Sequence, residues 1–521
     1  MALQKRINSN PATNVRANVM INLIRTLAMT SLSFITFPYV TRALGDAVFG
    51  TYTWANTFVY YFLILARISI PNIAIRECVK ARGDKEKFNK TVQEFFLMQA
   101  VMTLISFGLM STLVLSVPSL RDNGQLIFLL SINFLVGVFS FEWVYIALEK
   151  HLYITVRSIV LIAFSALLVF TLIKGSANPQ NYLHLYALLA ITSTIFTVIF
   201  NCIYLPRFVS LRKTQKYSFK PYIKSLWVLF LISITLALYN QTDEFILGYL
   251  DPSKAAVGTY SVGVKGIDII ITLITSLYAV FMPRAAYYYE KEDKRFFQNL
   301  INYSLNITFF IAVPAIACMA TMSQEICHLI SGSGETSYAS AWLVLAILSS
   351  MMLTYSIGDN IYTEILIPMK KEKIYLISMS IGVICNVGLS LLLGMVFFKD
   401  NPTVGVAIAT SATDLILFLF LLIRTRKYSV KAVINPNNIK IVWIGAVIAV
   451  ASIFIMRGFE SVFVFQEAWQ TYLLSMVLCI GIDAIIYVVG LMILRENLVS
   501  SFLPKRRKER EAYEKSQSEG K

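Results

Sequence analysis

Three basic residues of this chain, Arg25, Arg67 and Lys265, lie inside long apolar segments. A charged side chain at the centre of a membrane costs at least about 2.5 kcal/mol, and it usually faces a protein or water-filled interior in which it has a partner. Two guanidinium groups and one ammonium group attract an anion. The chemistry that these residues suggest is therefore anion recognition, and the anion is either a substrate or a neighbouring acidic side chain.

The surroundings of the three cations in the sequence differ. Arg25 has no acidic residue within a helical turn and lies roughly 10 Å above the cytosolic end of its segment, so we predict that it binds substrate. Arg67 lies about one turn before Pro71, and its side chain can instead reach the inner membrane interface. Lys265 can instead pair with Asp268, which follows it by three residues on the same helix.

Polar side chains share a helical face with each cation, at spacings of three, four, seven or eight residues. The three polar stripes are Asn18, Asn22, Arg25, Ser33 and Thr36; Asn56, Tyr60 and Arg67; and Ser261, Lys265, Asp268, Thr272 and Thr275. A helix that faces only lipid would not gather its polar residues on one side, so we predict that these faces line a cavity. The alternative is that they pack against other helices. The predicted substrate-binding residues are Arg25, Arg67, Lys265, Asn22, Asn56 and Tyr60, and Trp54 and Tyr260 are further aromatic residues that can stack on sugars.

Acidic residues also occur inside the apolar segments. Buried carboxyl groups bind protons or Na⁺, because desolvation disfavours the bare charge. The predicted ion-coupling positions are Asp268, Asp359 and Asp414, and the alternative is that these acids pair with the intramembrane cations. The six cysteines are scattered without a C-x-x-C spacing, and there are only three histidines. No metal site or cofactor is therefore expected beyond a coupling ion, H⁺ or Na⁺.

The composition places these residues in a polytopic membrane protein. The chain has 521 residues, of which 57% are hydrophobic and 15% are charged. No soluble globule of this size is so apolar and so poor in charge. The net charge of +16 is carried by the polar loops, so we do not expect nucleic acid as a partner.

Apolar windows of roughly 20 residues predict about fourteen membrane-spanning helices and an all-α fold. The predicted spans are 17–41, 47–71, 92–117, 124–148, 157–174, 183–206, 222–242, 255–282, 300–322, 339–364, 373–397, 403–424, 438–457 and 471–494. The polar residues before the first span argue against a cleaved signal peptide.

The distribution of Lys and Arg predicts that both termini are cytosolic. With that orientation, the outer loops hold few of the 46 basic residues; they are Arg42, Arg121, Lys174, Lys254, Lys399 and Arg457. Basic inner segments also attract anionic lipids. The predicted organisation is a cytosolic N-terminus at 1–16, an N-lobe at 17–206, a basic linker at 207–224, a C-lobe at 225–424, two further spans at 425–494 and a basic tail at 495–521.

Two similar phrases indicate an internal repeat. AVFGTYT at 47–53 opens the second predicted span, and AAVGTYS at 255–261 opens the eighth. The same two spans end in PNIAIRE and PRAAYYYE. An offset of six spans preserves orientation, so we predict two parallel six-helix lobes with a substrate path between them and two extra C-terminal helices.

The phrases FPYVTRALGDAVFGTYTWANTFVYYFLILARISIPNIAIREC (37–78) and YNQTDEFILGYLDPSKAAVGTYSVGVKG (239–266) carry a family resemblance. The chain resembles the Wzx-type repeat-unit flippases, the polysaccharide-synthesis branch of the multidrug/oligosaccharidyl-lipid/polysaccharide exporter superfamily. The resemblance implies a V-shaped pair of lobes that alternately open a cationic cavity to either side of the bacterial cytoplasmic membrane. The implied cargo is an undecaprenyl-pyrophosphate-linked oligosaccharide for capsule, exopolysaccharide or a related surface glycan.

The resemblance also assigns roles and partners. Related lipid II flippases carry basic residues on spans 1, 2 and 8, the spans that hold Arg25, Arg67 and Lys265 here. Lys265 departs from the more usual arginine, and a lysine cannot form the planar fork that binds phosphate in a bidentate way. The implied partners are the lipid-linked oligosaccharide, anionic membrane lipids and the polysaccharide polymerase machinery.

Two alternatives remain. A cation-coupled drug antiporter of the same superfamily would need an acidic cavity, which three intramembrane cations disfavour. A membrane-bound glycan polymerase would need a large outer loop with catalytic basic residues, and the predicted spans leave only short outer loops. The histidines His151, His184 and His328 are dispersed along the chain, so no nucleophile–histidine arrangement is predicted. We therefore expect a transporter and not an enzyme.

Overall fold

The structure is a computed structural model that describes residues 11–174, 178–210, 212, 216–332, 338–463, 465 and 468–500; the side chains at 11–20, 22, 23, 224, 225, 228, 279 and 500 lie outside this description. Within the described residues, every regular element is helical. A helix satisfies its backbone hydrogen bonds internally, as the hydrocarbon region requires. The chain is an all-α polytopic membrane protein, which confirms the predicted fold class.

The chain divides into two compact units, Met1–Ser261 and Val262–Lys521. The helices of the first unit are α1 Pro11–Arg67, α2 Ile70–Ala81, α3 Lys85–Ser116, α4 Gly124–Gly137, α5 Glu142–Ala147, α6 His151–Leu172, α7 Leu183–Tyr204, α8 Lys220–Leu250 and the start of α9 Ala255–Glu290, with short helical turns at Pro118–Arg121, Val138–Ser140, Pro179–Tyr182 and Leu205–Arg207. The lobe boundaries expected from the sequence stay predictions.

The second unit begins inside α9. Its further helices are α10 Lys294–Thr321, α11 Ser323–Ser331, α12 Ala341–Ser349, α13 Met351–Asn360, α14 Glu372–Leu392, α15 Pro402–Arg424, α16 Arg426–Val433, α17 Pro436–Val462 and α18 Ala468–Ile493, with π-helical turns at Ile361–Leu366 and Leu393–Phe397 and a last turn at Asn497–Ser500.

The first two predicted spans form the two arms of α1. The arms join at Gly45, which has φ 72° and ψ 172°. A positive φ is accessible to glycine at little cost because it has no Cβ atom. Gly45 therefore provides the break that the sequence places between 17–41 and 47–71.

Eleven helices of the described part are long and apolar enough to cross a membrane, or twelve if the bent pair of α12 with Met351–Leu366 is one span. In this count the two arms of α1 and the whole of α2 together form one segment, Ile24–Ala81. Helix α8 is not included in the count. The predicted number of about fourteen spans stays a prediction.

The predicted span 124–148 is broken instead of continuous. α4 ends at Gly137, a 3₁₀ turn follows, and Phe141 adopts φ 46° and ψ 23° before α5 begins at Glu142. A bulky residue with positive φ is strained, and such breaks often mark functional positions. The break places the carboxylate of Glu142 at the start of a new helix.

The two copies of the G-T-Y motif meet within the first unit. A Cβ atom on Gly50 would lie 1.9 Å from the backbone oxygen of Lys254 and 2.8 Å from the nitrogen of Gly258. A Cβ atom on Gly258 would lie 2.2 Å from the backbone oxygen of Asp46. Each motif glycine therefore allows a close backbone approach to the segment that contains the other copy.

The C-terminal helices α17 and α18 pack on α10. Asn306 donates to the side chain of Asn438 at 3.0 Å, and the hydroxyl of Tyr487 donates to the backbone oxygen of Phe310 at 2.7 Å. Gly445 faces Val313 so closely that a Cβ atom would lie 2.2 Å from its side chain. The two helices beyond the predicted repeat are therefore a packed part of the second unit.

α11 lies in the predicted outer loop, outside the membrane-spanning helices. Burial, together with the carboxyl group of Glu460, raises the pKa of Glu325 on this helix to about 7. Because this pKa exceeds the ordinary value of 4.5, protonation favours the folded state. That contribution to stability is complete below about pH 4.5 and is lost as the pH rises through about 7.

The melting temperature of the detergent-solubilised protein is therefore expected to fall between about pH 5 and about pH 8 more steeply in the wild type than in Glu325→Gln, which cannot titrate. Glu290→Gln, a change at an exposed glutamate, serves as the control and should keep the wild-type slope. Equal slopes for the wild type and Glu325→Gln would contradict the prediction.

Candidate functional site

The structure places an acid beside Arg25. Nη1 of Arg25 in the first arm of α1 lies 3.2 Å from Oε1 of Glu142 at the start of α5. The two side chains are 28% and 36% exposed, so the ion pair is partly hydrated. No acid lies within a helical turn of Arg25 along the chain, but the broken helix brings one from 117 residues away.

A fourth intramembrane cation, Arg157, joins the same acid. Its Nη2 atom lies 3.6 Å from Oε2 of Glu142, and its side chain is 5% exposed. Arg157 is not among the site residues predicted from the sequence, because it stands at the first position of the predicted span 157–174. α6 begins at His151 instead. The apolar residues Leu152, Tyr153, Ile154 and Val156 before the arginine were the signal that the helix starts earlier.

A buried polar network holds Arg157 in position. Its Nη1 atom donates to Oδ1 of Asn201 at 2.6 Å, and the hydroxyl of Tyr153 donates to the same oxygen at 2.9 Å. The hydroxyl of Tyr145 donates to the backbone oxygen of Asn201 at 2.6 Å, and the amide of Asn201 donates to the backbone oxygen of Ser140. Asn201 thereby connects α6 and α7 to the break before α5.

The predicted residues of the second arm of α1 share an exposed face. Asn56, Tyr60 and Arg67 are all exposed, at the spacing that the stripe predicts. Arg67 is the last residue of α1, and Glu142 and Tyr60 act on it electrostatically. The side chain of the remaining predicted residue, Asn22, lies outside the described residues.

Two aromatic residues proposed to stack on sugars are not available for stacking. Trp54 is 5% exposed and Tyr260 is 3% exposed, and the hydroxyl of Tyr260 donates to Asp243 at 2.6 Å. Tyr60 remains accessible at 38% exposure. The ring of Trp54 instead stacks on that of Phe245, with the ring centres 6.4 Å apart.

Charge does not balance in this part of the first unit. Among the described residues, Glu142 is the one acid that forms an ion pair with Arg25 or Arg157, and it also acts electrostatically on Arg67. The three arginines therefore exceed the acid by two charges. A cationic excess inside an apolar helical unit is stabilised by a further anion, and guanidinium groups suit carboxylate and phosphate oxygens.

The predicted residues of the second unit also come together in part. Asp268 of α9, Asp359 of α13 and Asp414 of α15 each act electrostatically on Tyr355, so the three acids lie in the same part of the second unit. Asp414 is buried and accepts a hydrogen bond from the hydroxyl of Thr354. In the described part of the chain, no group of three or more His, Cys, Asp or Glu residues is arranged to hold a metal ion.

Lys265 is half-buried on α9 and lies close enough to Asp268 to act on it electrostatically. Among the described residues, no ion pair within 4.0 Å joins Lys265 to an acid. The alternative of a tight i,i+3 pair is therefore not what the structure shows. The charge of Lys265 acts at longer range.

Glu364 is a fully buried acid that the sequence analysis did not select. It lies in the π-helical turn after α13, where Oε1 accepts from Ser304 at 2.6 Å. Asn360 donates to the same serine at 2.9 Å. The carboxyl group is fully buried, so the hydroxyl of Ser304, together with the nearby amide of Asn360, is important for solvating it.

Ser304→Ala is expected to destabilise the protein by about 1–3 kcal/mol, because it removes the donor that serves a buried carboxyl group. The melting temperature of the purified protein measures this effect. Ser380→Ala removes an exposed hydroxyl that bonds only to its own helix at Leu376 and should melt like the wild type. If the two variants melt alike, the buried hydrogen bond does not contribute as described.

Comparisons with known proteins agree with this architecture. The family model described as polysaccharide biosynthesis protein matches residues 15–289, and the MatE model matches residues 229–392. A putative O-antigen transporter of Escherichia coli (strain K12) is 24% identical over 129 residues, which cover 25% of this chain and 31% of that protein. The alignment thus spans about a third of the length of this curated relative.

Two solved structures share the fold at low identity. The lipid II flippase MurJ in an inward closed conformation superposes with a TM-score of 0.68 at 15% identity, over 91% of this chain and all of that chain. A multidrug resistance MATE family transporter of the MOP superfamily, in its inward-facing conformation, gives a TM-score of 0.56 at 12% identity, over 78% of this chain and 98% of its own. These comparisons confirm the resemblance that the motifs carry. Because its family model matches more than half of its length, this chain belongs to the polysaccharide biosynthesis protein family.

Proposed function

We propose that this protein is a flippase that carries an undecaprenyl-pyrophosphate-linked oligosaccharide across the bacterial cytoplasmic membrane by alternating access. The cargo would serve the synthesis of capsule, exopolysaccharide or a related surface glycan. The observation that carries the proposal is the cationic excess of Arg25, Arg67 and Arg157 over Glu142. A pyrophosphate group supplies the anion that such a site lacks.

The proposal also covers Lys265, the lipid tail of the cargo, the orientation of the chain and its partners. The pyrophosphate binds at the arginines of the first unit, and Lys265 interacts with it at a later stage of transport. The polyprenyl chain stays in the lipid throughout, so its apolar surface is not exposed to water. Both termini lie in the cytosol, anionic lipids contact the basic inner segments, and the polysaccharide polymerase machinery receives the cargo.

The coupling ion is H⁺ or Na⁺, and Asp268, Asp359 and Asp414 are the residues proposed to bind it. All three aspartates act electrostatically on Tyr355, which supports a shared site in the second unit. Carboxyl groups in such a place exchange a cation when water access changes. The chemistry is a binding and release cycle that needs no covalent step.

The direct test is transport by the full-length protein in proteoliposomes, with a fluorescent oligosaccharide linked to undecaprenol through pyrophosphate, through monophosphate or through no phosphate. Transport should be fastest for the pyrophosphate cargo and lowest for the neutral one, because the site recognises anionic oxygens. Protein-free liposomes provide the background. Equal transport of all three cargoes would reject pyrophosphate recognition.

A cation-coupled drug antiporter is the second candidate, because the MatE model matches residues 229–392, the part of the chain that holds Asp268 and Asp359. The same proteoliposomes distinguish it. Uptake of a cationic dye driven by an H⁺ or Na⁺ gradient, without transport of the pyrophosphate cargo, would favour the antiporter.

A further inference from the structure

Glu142 bridges two arginines through its two oxygens. Oε1 lies 3.2 Å from Nη1 of Arg25, and Oε2 lies 3.6 Å from Nη2 of Arg157. Tight charge-assisted hydrogen bonds between such groups are about 2.7–2.9 Å long, so both contacts are loose. A carboxylate held between two guanidinium groups occupies the position that a phosphate with two free oxygens would take.

Arg157 does not depend on Glu142 for its placement. Asn201 accepts from its Nη1 atom at 2.6 Å, and its guanidinium carbon lies 5.6 Å from the centre of the Tyr153 ring. Its Nε atom is buried and has no hydrogen-bond partner in the structure. Arg157 is therefore a fixed cation with unfilled donor capacity, whichever anion lies beside it.

Glu142, in contrast, is partly exposed and follows a strained residue. Its side chain is 36% exposed, whereas that of Arg157 is 5% exposed. It directly follows Phe141, whose φ of 46° is strained for a bulky residue. Glu142 and Arg25 are thus the accessible members of the cluster, whereas Arg157 is buried.

Arg25 and Arg157 form what we call the arginine site. We propose that Glu142 is its resident anion: Glu142 bridges the two arginines while no cargo is bound, and a phosphate oxygen of the cargo displaces it on binding. This inference rests on the proposed function and adds Arg157 as a substrate-binding residue. The exchange keeps Arg25 and Arg157 beside an anion in both states, so the empty protein does not leave these two guanidinium groups without a counter-charge. Return of Glu142 to the arginines promotes release of the cargo.

The test measures binding of undecaprenyl pyrophosphate to the full-length protein in nanodiscs of neutral lipid. Glu142→Gln removes the competing charge and keeps the size of the side chain. Its Kd should be about tenfold lower than that of the wild type, a change of about 1.4 kcal/mol. Glu142→Asp keeps the charge and should bind like the wild type. Glu149→Gln is the matched control, since Glu149 pairs with Arg82 at 2.8 Å and contacts neither arginine of the site.

Transport gives a second readout that a purely structural role would not produce. In proteoliposomes, Glu142→Gln should lower the apparent KM for the pyrophosphate cargo and lower the maximal rate, because release slows. Arg157→Gln in the Glu142→Gln background should reverse the gain in affinity. Melting temperatures confirm that each variant is folded.

The outcomes separate this inference from the function on which it rests. A Kd for folded Glu142→Gln that equals or exceeds that of the wild type overturns the resident-anion role. If Arg25→Ala still weakens binding in that experiment, the proposed function stands alone. Equal transport of the pyrophosphate, monophosphate and neutral cargoes would reject the proposed function, whereas a lower Kd in Glu142→Gln would still support anion exchange at Arg157.

Discussion

Arg25→Ala is expected to lower binding of a pyrophosphate-linked cargo by about 10- to 100-fold, because a hydrogen bond to a charged group contributes about 1.5–3 kcal/mol. The loss should appear in the rate of translocation by proteoliposomes at cargo concentrations below KM. It should be large because the substitution removes one of three arginines and leaves Glu142 paired only with Arg157. The site then keeps less attraction for a second anion.

Two further variants show whether the loss comes from Arg25 itself. Arg121→Ala removes an exposed arginine at the short turn Pro118–Arg121 and should transport at the wild-type rate. Arg25→Lys keeps the charge but not the planar donor pair, so it should fall between the wild type and the alanine variant. Wild-type transport of every pyrophosphate-linked cargo by Arg25→Ala would exclude this arginine from cargo recognition.

Gly258→Ala is expected to destabilise the folded protein by about 1–3 kcal/mol or more, since an added Cβ atom has no space. It would lie 2.2 Å from the backbone oxygen of Asp46, and a backbone atom cannot turn aside as a flexible side chain can. Gly50→Ala should have a similar effect through the backbone of Lys254. Loss of monodisperse protein and a lower melting temperature measure the change.

Gly108→Ala in α3 is the matched control, because its Cβ atom would meet nothing within 4 Å. Alanine in a helix interior is favoured over glycine by roughly 0.5–1 kcal/mol, so this variant should melt at or above the wild-type temperature. Wild-type melting of both Gly50→Ala and Gly258→Ala would mean that the two G-T-Y segments do not pack as described.

Much of the local structure was predictable from the sequence. Membrane-spanning helices need long apolar runs, and each predicted span lies on one or more helices of the structure. The exposed face of Asn56, Tyr60 and Arg67 follows from helical periodicity alone. The repeat of G-T-Y identified Gly50 and Gly258, but that they meet is a tertiary fact, since no local rule states which backbone a glycine approaches.

The arginine site shows where local reasoning fails. Arg25 has an acidic partner, but the partner comes from a helix 117 residues away. Arg157 was not predicted as a site residue because the predicted span starts at 157, which places it at the end of a helix, whereas the helix begins at His151 and Arg157 lies in a buried network. Helix boundaries are the least certain part of a sequence-based assignment, because several residues at a helix end have similar propensities.

By itself, the sequence determined that this is an all-α membrane protein with cations and acids inside its apolar helices, because apolarity and helical periodicity are local properties. Only the tertiary structure decided which charges interact: one glutamate contacts two arginines and acts electrostatically on a third in the first unit, and three aspartates act electrostatically on one tyrosine in the second. The physical reason is that the energy of a charge depends on distance and burial, and both are set by contacts between segments far apart in the chain.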